Sequence, residues 1–296
     1  MGKRILLSAV GGSVAVSYIQ HLKKLGHIVI GIDSNDKIAG KYFCDEFIKV
    51  PEVRTNYYNV IKDIDFDLFF PFLDEELLYF AGNNIQDQRI VISKDLTIGI
   101  CINKRALYCF AKENNILVPE QIKELTLENV FVRKVISRGS KHAFISSGSE
   151  KYYNNFNYIV QEIIEGQEYT IDLLCNDKHE YIYCVPRKRL KKSNVSLIGQ
   201  VSMEDDLIEF TKNICKLFKF VGPINIQIIR RDNKIYLIEI NPRLAGSSIL
   251  SINAGFDFLQ NTIEGYPIKT FKIENNLKMF RYLQEVFIDN ELDSRF

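Results

Sequence analysis

The order of secondary-structure signals changes once along this chain, between Ser93 and Lys104, and that change rules out a single sheet of one kind. Before it, strand and helix patterns alternate. Residues 4–10 read as a strand, 13–25 as a helix, and 27–32 as a second strand ending at Asp33. Residues 68–72, a helix near 75–84 and a short strand at 89–92 continue the series. Such alternation predicts a parallel sheet with helices on its faces. After Lys104 comes one helix, 104–114, and then closely spaced strands at 130–135, 142–146, 158–164, 168–175 and 181–185. A helix at 207–218 precedes strands 222–229 and 234–240, which the turn Arg231-Asp232-Asn233 joins as a hairpin. The expected fold class is therefore α/β followed by mixed, mostly antiparallel α+β.

Composition removes several classes of function. The 296 residues carry 38 Lys+Arg against 37 Asp+Glu, so the chain lacks the basic excess that a phosphate backbone demands. Nucleic acid is not an expected partner. No apolar stretch approaches the length that spans a bilayer. The N-terminal apolar run Ile5 to Val10 is cut by Gly11-Gly12 and followed by helical periodicity, which reads as strand, turn and helix rather than a secretory signal. The six cysteines form no C-x-x-C and lie mostly in apolar runs, as reduced thiols of a cytoplasmic protein do. A dinucleotide fingerprint is also missing, because Ser13 and Val16 stand where glycines would follow Gly11. Asp33 is read as a strand-ending turn residue.

The hairpin near the C-terminal end carries the chemistry. Glu239 and Asn241 are two apart on a strand and share a face, with Gln227 on the partner strand. One carboxylate and two amides are oxygen donors that suit Mg²⁺, which completes its shell with water and phosphate. Pro242 stops the strand, and Arg243 then offers a guanidinium fork that fits phosphate. Upstream, Pro186-Arg187-Lys188-Arg189-Leu190-Lys191-Lys192 is a basic cluster, which is ordinarily a solvated face.

The run Gln227 … Glu239-Ile240-Asn241-Pro242-Arg243, with Ser247-Ser248 behind it, resembles the metal-binding end of the ATP-grasp superfamily. The resemblance is to the carbamoyl-phosphate synthase type and its short carboxylate–amine ligase relatives. It implies an N-terminal parallel, Rossmann-like pre-ATP-grasp domain (1–98), a small lobe with a flexible loop (99–165) and a C-terminal lobe with the metal site (166–296). It also implies that Lys104 and Arg133 contact the ATP phosphates. Arg133 is preferred to Lys134 because Lys134 stands where relatives have a proline after the basic residue. Ser140, in the loop 137–142, would cover the phosphates; that loop holds one glycine, Gly139, where relatives have several. Glu162 and Ile164 would line the adenine, and Glu168 would accept from the ribose hydroxyls. Arg187 and Arg189 would lie on the acceptor-substrate side. Gln227, Glu239 and Asn241 would hold Mg²⁺ or Mn²⁺, with Asn241 and Arg243 acting at the transferred phosphoryl group. The activity so implied is ATP-dependent ligation of a small-molecule carboxylate to an amine through an acyl phosphate, with no membrane partner and room for a homodimer. The alternatives are a carboxy- or carbamoyl-phosphate-forming enzyme and a nucleotide-binding regulatory homologue without turnover.

Overall fold

The structure is a computed structural model that describes residues 2–54, 56–137, 142–192, 196–267 and 270–289. Its first sheet contains β1 (Arg4–Ser8), β2 (Ile28–Asp33), β3 (Glu46–Lys49) and β4 (Leu68–Phe70), all parallel, in the order β3-β2-β1-β4. Ile5, Leu6 and Leu7 are all buried, as befits a central parallel strand covered on both faces. Helix α1 (Ala15–Lys24) buries Ala15, Tyr18, Ile19 and Leu22, the i, i+3, i+4, i+7 stripe of an amphipathic helix. Short α2 (Tyr57–Ile61), then α3 (Asp74–Gly82) and α4 (Asp95–Ile102), complete this part.

Several of these elements depart from the sequence reading. β3, α2 and α4 were not expected, and residues 89–92 make only a single bridge, Phe69 with Ile90, rather than a strand. Helix α4, with the sequence Asp-Leu-Thr-Ile-Gly-Ile-Cys-Ile, has apolar residues on every side, so it offers no period to read. Asn103 separates it from α5 (Lys104–Glu113): its side chain accepts from the backbone N–H groups of Arg105 and Ala106 and caps the new helix.

A three-stranded sheet follows, β5 (Asn129–Lys134), β6 (Ala143–Ser147) and β7 (Tyr158–Gln161), in the order β6-β5-β7. The expected strand 158–164 stops at Gln161, which leaves Glu162 and Ile164 in the connection to the next sheet. Gly166 closes that connection. A Cβ there would lie 2.2 Å from the carbonyl oxygen of Arg230, so only glycine permits this approach.

The largest sheet has six strands: β8 (Gln167–Cys175), β9 (Tyr181–Lys192), β10 (Ser196–Val201), β11 (Gly222–Arg231), β12 (Lys234–Asn241) and β13 (Lys278–Phe280). Their order is β12-β11-β8-β9-β10-β13, with antiparallel pairing throughout. The β11–β12 turn comprises Asp232 and Asn233, both at positive φ (49° and 60°), the geometry of a two-residue hairpin loop. β9 runs seven residues beyond its expected end at Val185, through the whole basic cluster. One sheet face, with Tyr169, Ile171, Leu173, Ile226, Ile228 and Leu237, packs with α5 and α6 (Asp205–Leu217). Strand alternation leaves Thr170 and Asp172 for the other face. Towards its far end that second face joins the first sheet, α7 (Ile249–Asn253) and α8 (Phe258–Ile263) in a shared core.

Candidate active site

Cross-strand register gathers the polar residues. Gln227 faces Glu239, and Asn225 faces Asn241, across β11 and β12. On the other side of β11, Gln227 faces Thr170 and Asn225 faces Asp172, while Thr170 faces Arg187 on β9. Directly opposed residues share a face, so the pleat aligns one polar row across four strands and a second across three, which ends at Val185 on β9.

Glu239 is the centre. Its side chain is 15% exposed, and its Oε2 lies 2.7 Å from Arg133 Nη2 and 3.8 Å from Lys104 Nζ. Its Oε1 accepts from Asn241 Nδ2 at 2.8 Å and Gln227 Nε2 at 3.3 Å. Burial opposes ionisation of this carboxyl, but Lys104 and Arg133 outweigh that and hold it below the usual carboxylate range. Burial in turn pulls the Lys104 ammonium below its ordinary value, with Glu239 acting against the shift. Lys104 also donates to the backbone oxygen of Ser137 at 2.9 Å, at the start of the expected lid. Arg133 and Tyr108, from β5 and α5, both donate to the carbonyl of Ile238, at 3.2 and 3.3 Å, and so dock the three-stranded sheet onto β12.

Beyond β12, Arg243 Nε donates to Asp74 Oδ1 at 2.6 Å, and its Nη2 reaches Asn241 Oδ1 at 3.3 Å. Arg189 Nη1 sits 3.4 Å from Glu168 Oε2 and 3.4 Å from Gln227 Oε1. Thus Lys104, Arg133, Arg189, Gln227, Glu239, Asn241, Glu168 and Arg243 form one linked constellation. Glu162 makes its hydrogen bond elsewhere, its Oε1 accepting from the backbone N–H of Glu120 at 2.9 Å, and Ile164 is half-buried two residues on in the chain. Ser140 lies outside the described residues. Arg187 is not brought to Glu239: it is 1% exposed, grips Asp172 through Nε and Nη2 at 2.7 and 2.8 Å, and donates to Ser247 at 2.8 Å.

Three acids and amides of this network escaped the sequence reading: Asp74, Asp172 and Asn225. Asp172 offered a signal, as the lone acid inside the mainly apolar run Tyr169 to Cys175. Asn225 offered its spacing of two from Gln227. Asp74 offered none.

A cleft of about 700 Å³ opens at the carboxyl ends of the parallel strands, where ligands of open α/β sheets bind. Ser8, Asp33, Val50 and Leu73 line it from the four strand ends, together with Glu52, Glu75 and Glu76. Asp33 serves as the expected turn residue, accepting from the N–H groups of Gly11 and Asn35 at 2.9 and 3.0 Å.

The donor set fits a divalent cation of the hard kind. Glu239 is kept ionised, its amide neighbours can turn an oxygen outward, and positive side chains already surround it in the position of a bound cation's charge. One carboxylate alone requires that the ion draw most of its shell from phosphate and water; among the described residues no group of three His, Cys, Asp or Glu could hold a metal unaided.

Comparison with known proteins gives a consistent result. Residues 155–280 match the family described as ATP-grasp in the biosynthetic pathway with Ter operon. The carbamoyl phosphate synthase large chain of Agathobacter rectalis is 27% identical over 123 residues, which cover 36% of this chain and 11% of that relative. The match therefore spans about a tenth of the relative's length. Among solved structures, N5-carboxyaminoimidazole synthetase from Staphylococcus aureus, complexed with ADP, superposes with a TM-score of 0.72. It is 14% identical, over 92% of this chain and 80% of that one. N5-carboxyaminoimidazole ribonucleotide synthetase from Thermotoga maritima gives 0.67 at 19% identity, over 92% and 78% of the two chains. These likenesses establish the fold, and they bear out the resemblance carried by the Glu239 to Arg243 motif. Among the described residues no helix is long and apolar enough to cross a membrane.

Proposed function

From the premise that this chain has the ATP-grasp fold, and matches an ATP-grasp family over residues 155–280, we propose that it is an ATP-dependent carboxylate–amine ligase. The carrying observation is the convergence of Lys104, Arg133, Arg189 and Arg243 on a site centred on the carboxylate of Glu239. Such a cluster is matched to a triphosphate with its metal, and phosphoryl transfer needs positioning and charge stabilisation more than acid–base groups.

In this reading residues 1–98 are the pre-ATP-grasp domain, 99–165 the small lobe and 166–296 the C-terminal lobe. ATP lies between the two lobes, with its adenine against Glu162 and Ile164 and its ribose at Glu168. Lys104 and Arg133 would leave Glu239 for the phosphates, and Glu239, Asn241 and Gln227 are the residues that would hold Mg²⁺ or Mn²⁺. When bound, that ion would neutralise charge on the phosphates and fix their orientation. Arg243 steadies the γ-phosphoryl group as the substrate carboxylate attacks it, giving an acyl phosphate and ADP. The amine then displaces phosphate. Exclusion of water is the task of the segment that includes Ser140, since an acyl phosphate hydrolyses readily. The cleft at Ser8 and Asp33 takes an acceptor; among the described residues Asp33, Glu52 and Glu75 line it beside the buried Glu76, with no lysine or arginine, which suits a cationic amine better than a phosphorylated substrate. Arg187 is tied up by Asp172, so Arg189 is the arginine of that pair available to a ligand.

The test is thermal unfolding with and without Mg·ATP, on wild type and Glu239→Gln. A ligand at 100 times its dissociation constant adds about 2.7 kcal/mol, a rise of roughly 5 °C or more for a chain of this size. The rise should shrink in Glu239→Gln, and ADP release should follow with a productive carboxylate and amine. An undiminished rise and undiminished turnover in the variant would remove Glu239 from the site.

A further inference from the structure

Arg243 does not touch Glu239, although it follows Asn241 by two residues and the carboxylate is within its electrostatic reach. Glu239 is already served by Arg133, Lys104, Asn241 and Gln227. What holds Arg243 apart is Asp74, the first residue of α3, which comes from the parallel unit 169 residues earlier in the chain. Asp74 is 7% exposed, and its Oδ1 takes the Nε hydrogen of Arg243 at 2.6 Å. A guanidinium gripped at Nε has its rotation about the side-chain axis fixed, and its two terminal NH₂ groups are then presented together. Nη2 stays beside Asn241 Oδ1 at 3.3 Å and Nη1 near the carbonyl of Leu244 at 3.4 Å, both long contacts that a better acceptor displaces.

We propose that Asp74 is a positioning residue that aims Arg243 at the γ-phosphoryl group and keeps it from collapsing onto Glu239. The inference rests on the ligase reading above. The same contact links the acceptor cleft to the phosphoryl site, because Asp74 is followed directly by Glu75 and Glu76 in the cleft lining. The energetic logic is that of a buried charge pair. Without Asp74, a guanidinium in this setting turns towards the next carboxylate, which is Glu239, and so leaves the γ-phosphoryl position.

The experiment is calorimetric binding of two probes, Mg·ADP and the Mg complex of the non-hydrolysable β,γ-imido analogue of ATP. Wild type should bind the triphosphate more tightly than the diphosphate. Asp74→Ala should lose about tenfold in triphosphate affinity and stay within about twofold for the diphosphate, whose phosphates Arg243 does not reach. Retained diphosphate binding also shows that the variant is folded. Asp74→Asn, which keeps an accepting oxygen for Nε, should fall between the two. In the Arg243→Ala background, Asp74→Ala should change nothing further, since a residue acting through another loses its effect when that other is gone. Equal loss for both nucleotides, equal binding of both by wild type, or additive losses in the double variant would overturn the role of Asp74. A wild type that binds neither nucleotide would instead overturn the ligase reading itself.

Discussion

Glu76 is fully buried beneath the cleft at the ends of the parallel strands, and four donors converge on its carboxyl. Ser8 donates to Oε2 at 2.6 Å, the backbone N–H groups of Phe72 and Leu73 both at 3.1 Å, and Tyr57 donates to Oε1. Burial still dominates: it raises the carboxyl from an ordinary 4.5 to about 7, against the pull of those bonds. A folded value above the unfolded one means that the folded chain holds the proton more tightly. Its contribution to stability is therefore fully present below about pH 4.5 and is lost as pH rises through 7. The unfolding temperature of the wild type should fall between pH 5 and pH 8 relative to Glu76→Gln, whose side chain does not titrate. In that variant the amide oxygen can take the place of Oε2 and the NH₂ can donate to the Tyr57 hydroxyl. Parallel curves for the two proteins would show that Glu76 stays ionised. Nothing in the sequence marked Glu76, or Asp74 two residues before it, because their meaning lies in partners such as Ser8 and Arg243 that are distant in the chain. Glu239, Asn241 and Gln227 were legible for the opposite reason. Their spacing on a hairpin is local, and a period of two places them on one face without knowledge of anything else.

At the scale of elements, the basic run from Arg187 to Lys192 lies beyond the strand end expected at Val185, and the structure explains why the strand continues. Positive residues in succession are ordinarily a solvated face, yet here they extend β9 because the neighbouring strands and the segment before α6 supply counter-charges. Arg187 meets Asp172, Arg189 meets Glu168, and Lys188, on the other face, meets Glu204 at 3.4 Å. Asp172 is the hub of the first of these. It also accepts from Ser248 at 2.8 Å and Ser251 at 2.6 Å, so one carboxylate joins β8, β9 and the segment that follows Arg243. Its exposure is 1%, and removing one partner of such a pair leaves an uncompensated buried charge. Arg187→Ala and Asp172→Ala should each lower unfolding stability by about 3–5 kcal/mol, measured by urea denaturation, with the double variant losing less than the sum. Wild-type stability in Arg187→Ala, coupled to a loss of acceptor affinity, would restore Arg187 to the substrate side where its motif first placed it. Elements with little amphipathic period, such as α4 and the short strands β3 and β13, were beyond a sequence reading because their burial is set entirely by what they pack against.

Across the whole molecule, the parallel sheet and the six-stranded sheet share a core. Ile5, Leu7, Tyr18 and Leu22 pack in one cluster with Leu174, Val185, Leu250 and Phe256, which come from the second half of the chain. Polar ties reinforce it: Tyr18 donates to the carbonyl of Ala245 at 2.5 Å, and His21 pairs with Asp257 at 2.6 Å. The three-stranded sheet is built differently. Among the described residues its own cluster has Val130, Val132 and Val160 as buried members, and Arg133, Lys104 and Tyr108 tie it to Glu239 and Ile238 by polar contacts. A unit with so small a core opens at a lower free energy than one embedded in a large apolar cluster. These are also the contacts that our reading exchanges for nucleotide phosphates, so a sheet with a small core of its own is the part that has to move. Native-state hydrogen exchange read by mass spectrometry tests this directly. Amides of β1 and β8 should exchange together at the global unfolding free energy, whereas those of β5 and β7 should open earlier by about 2 kcal/mol or more. Saturating Mg·ATP should narrow that gap, because a ligand bound between the lobes stabilises only states in which both are closed on it. If β1 opened separately from β8, the shared core would not be acting as one cooperative unit; if the gap stayed fixed with nucleotide bound, the small sheet would not be a jaw of the site.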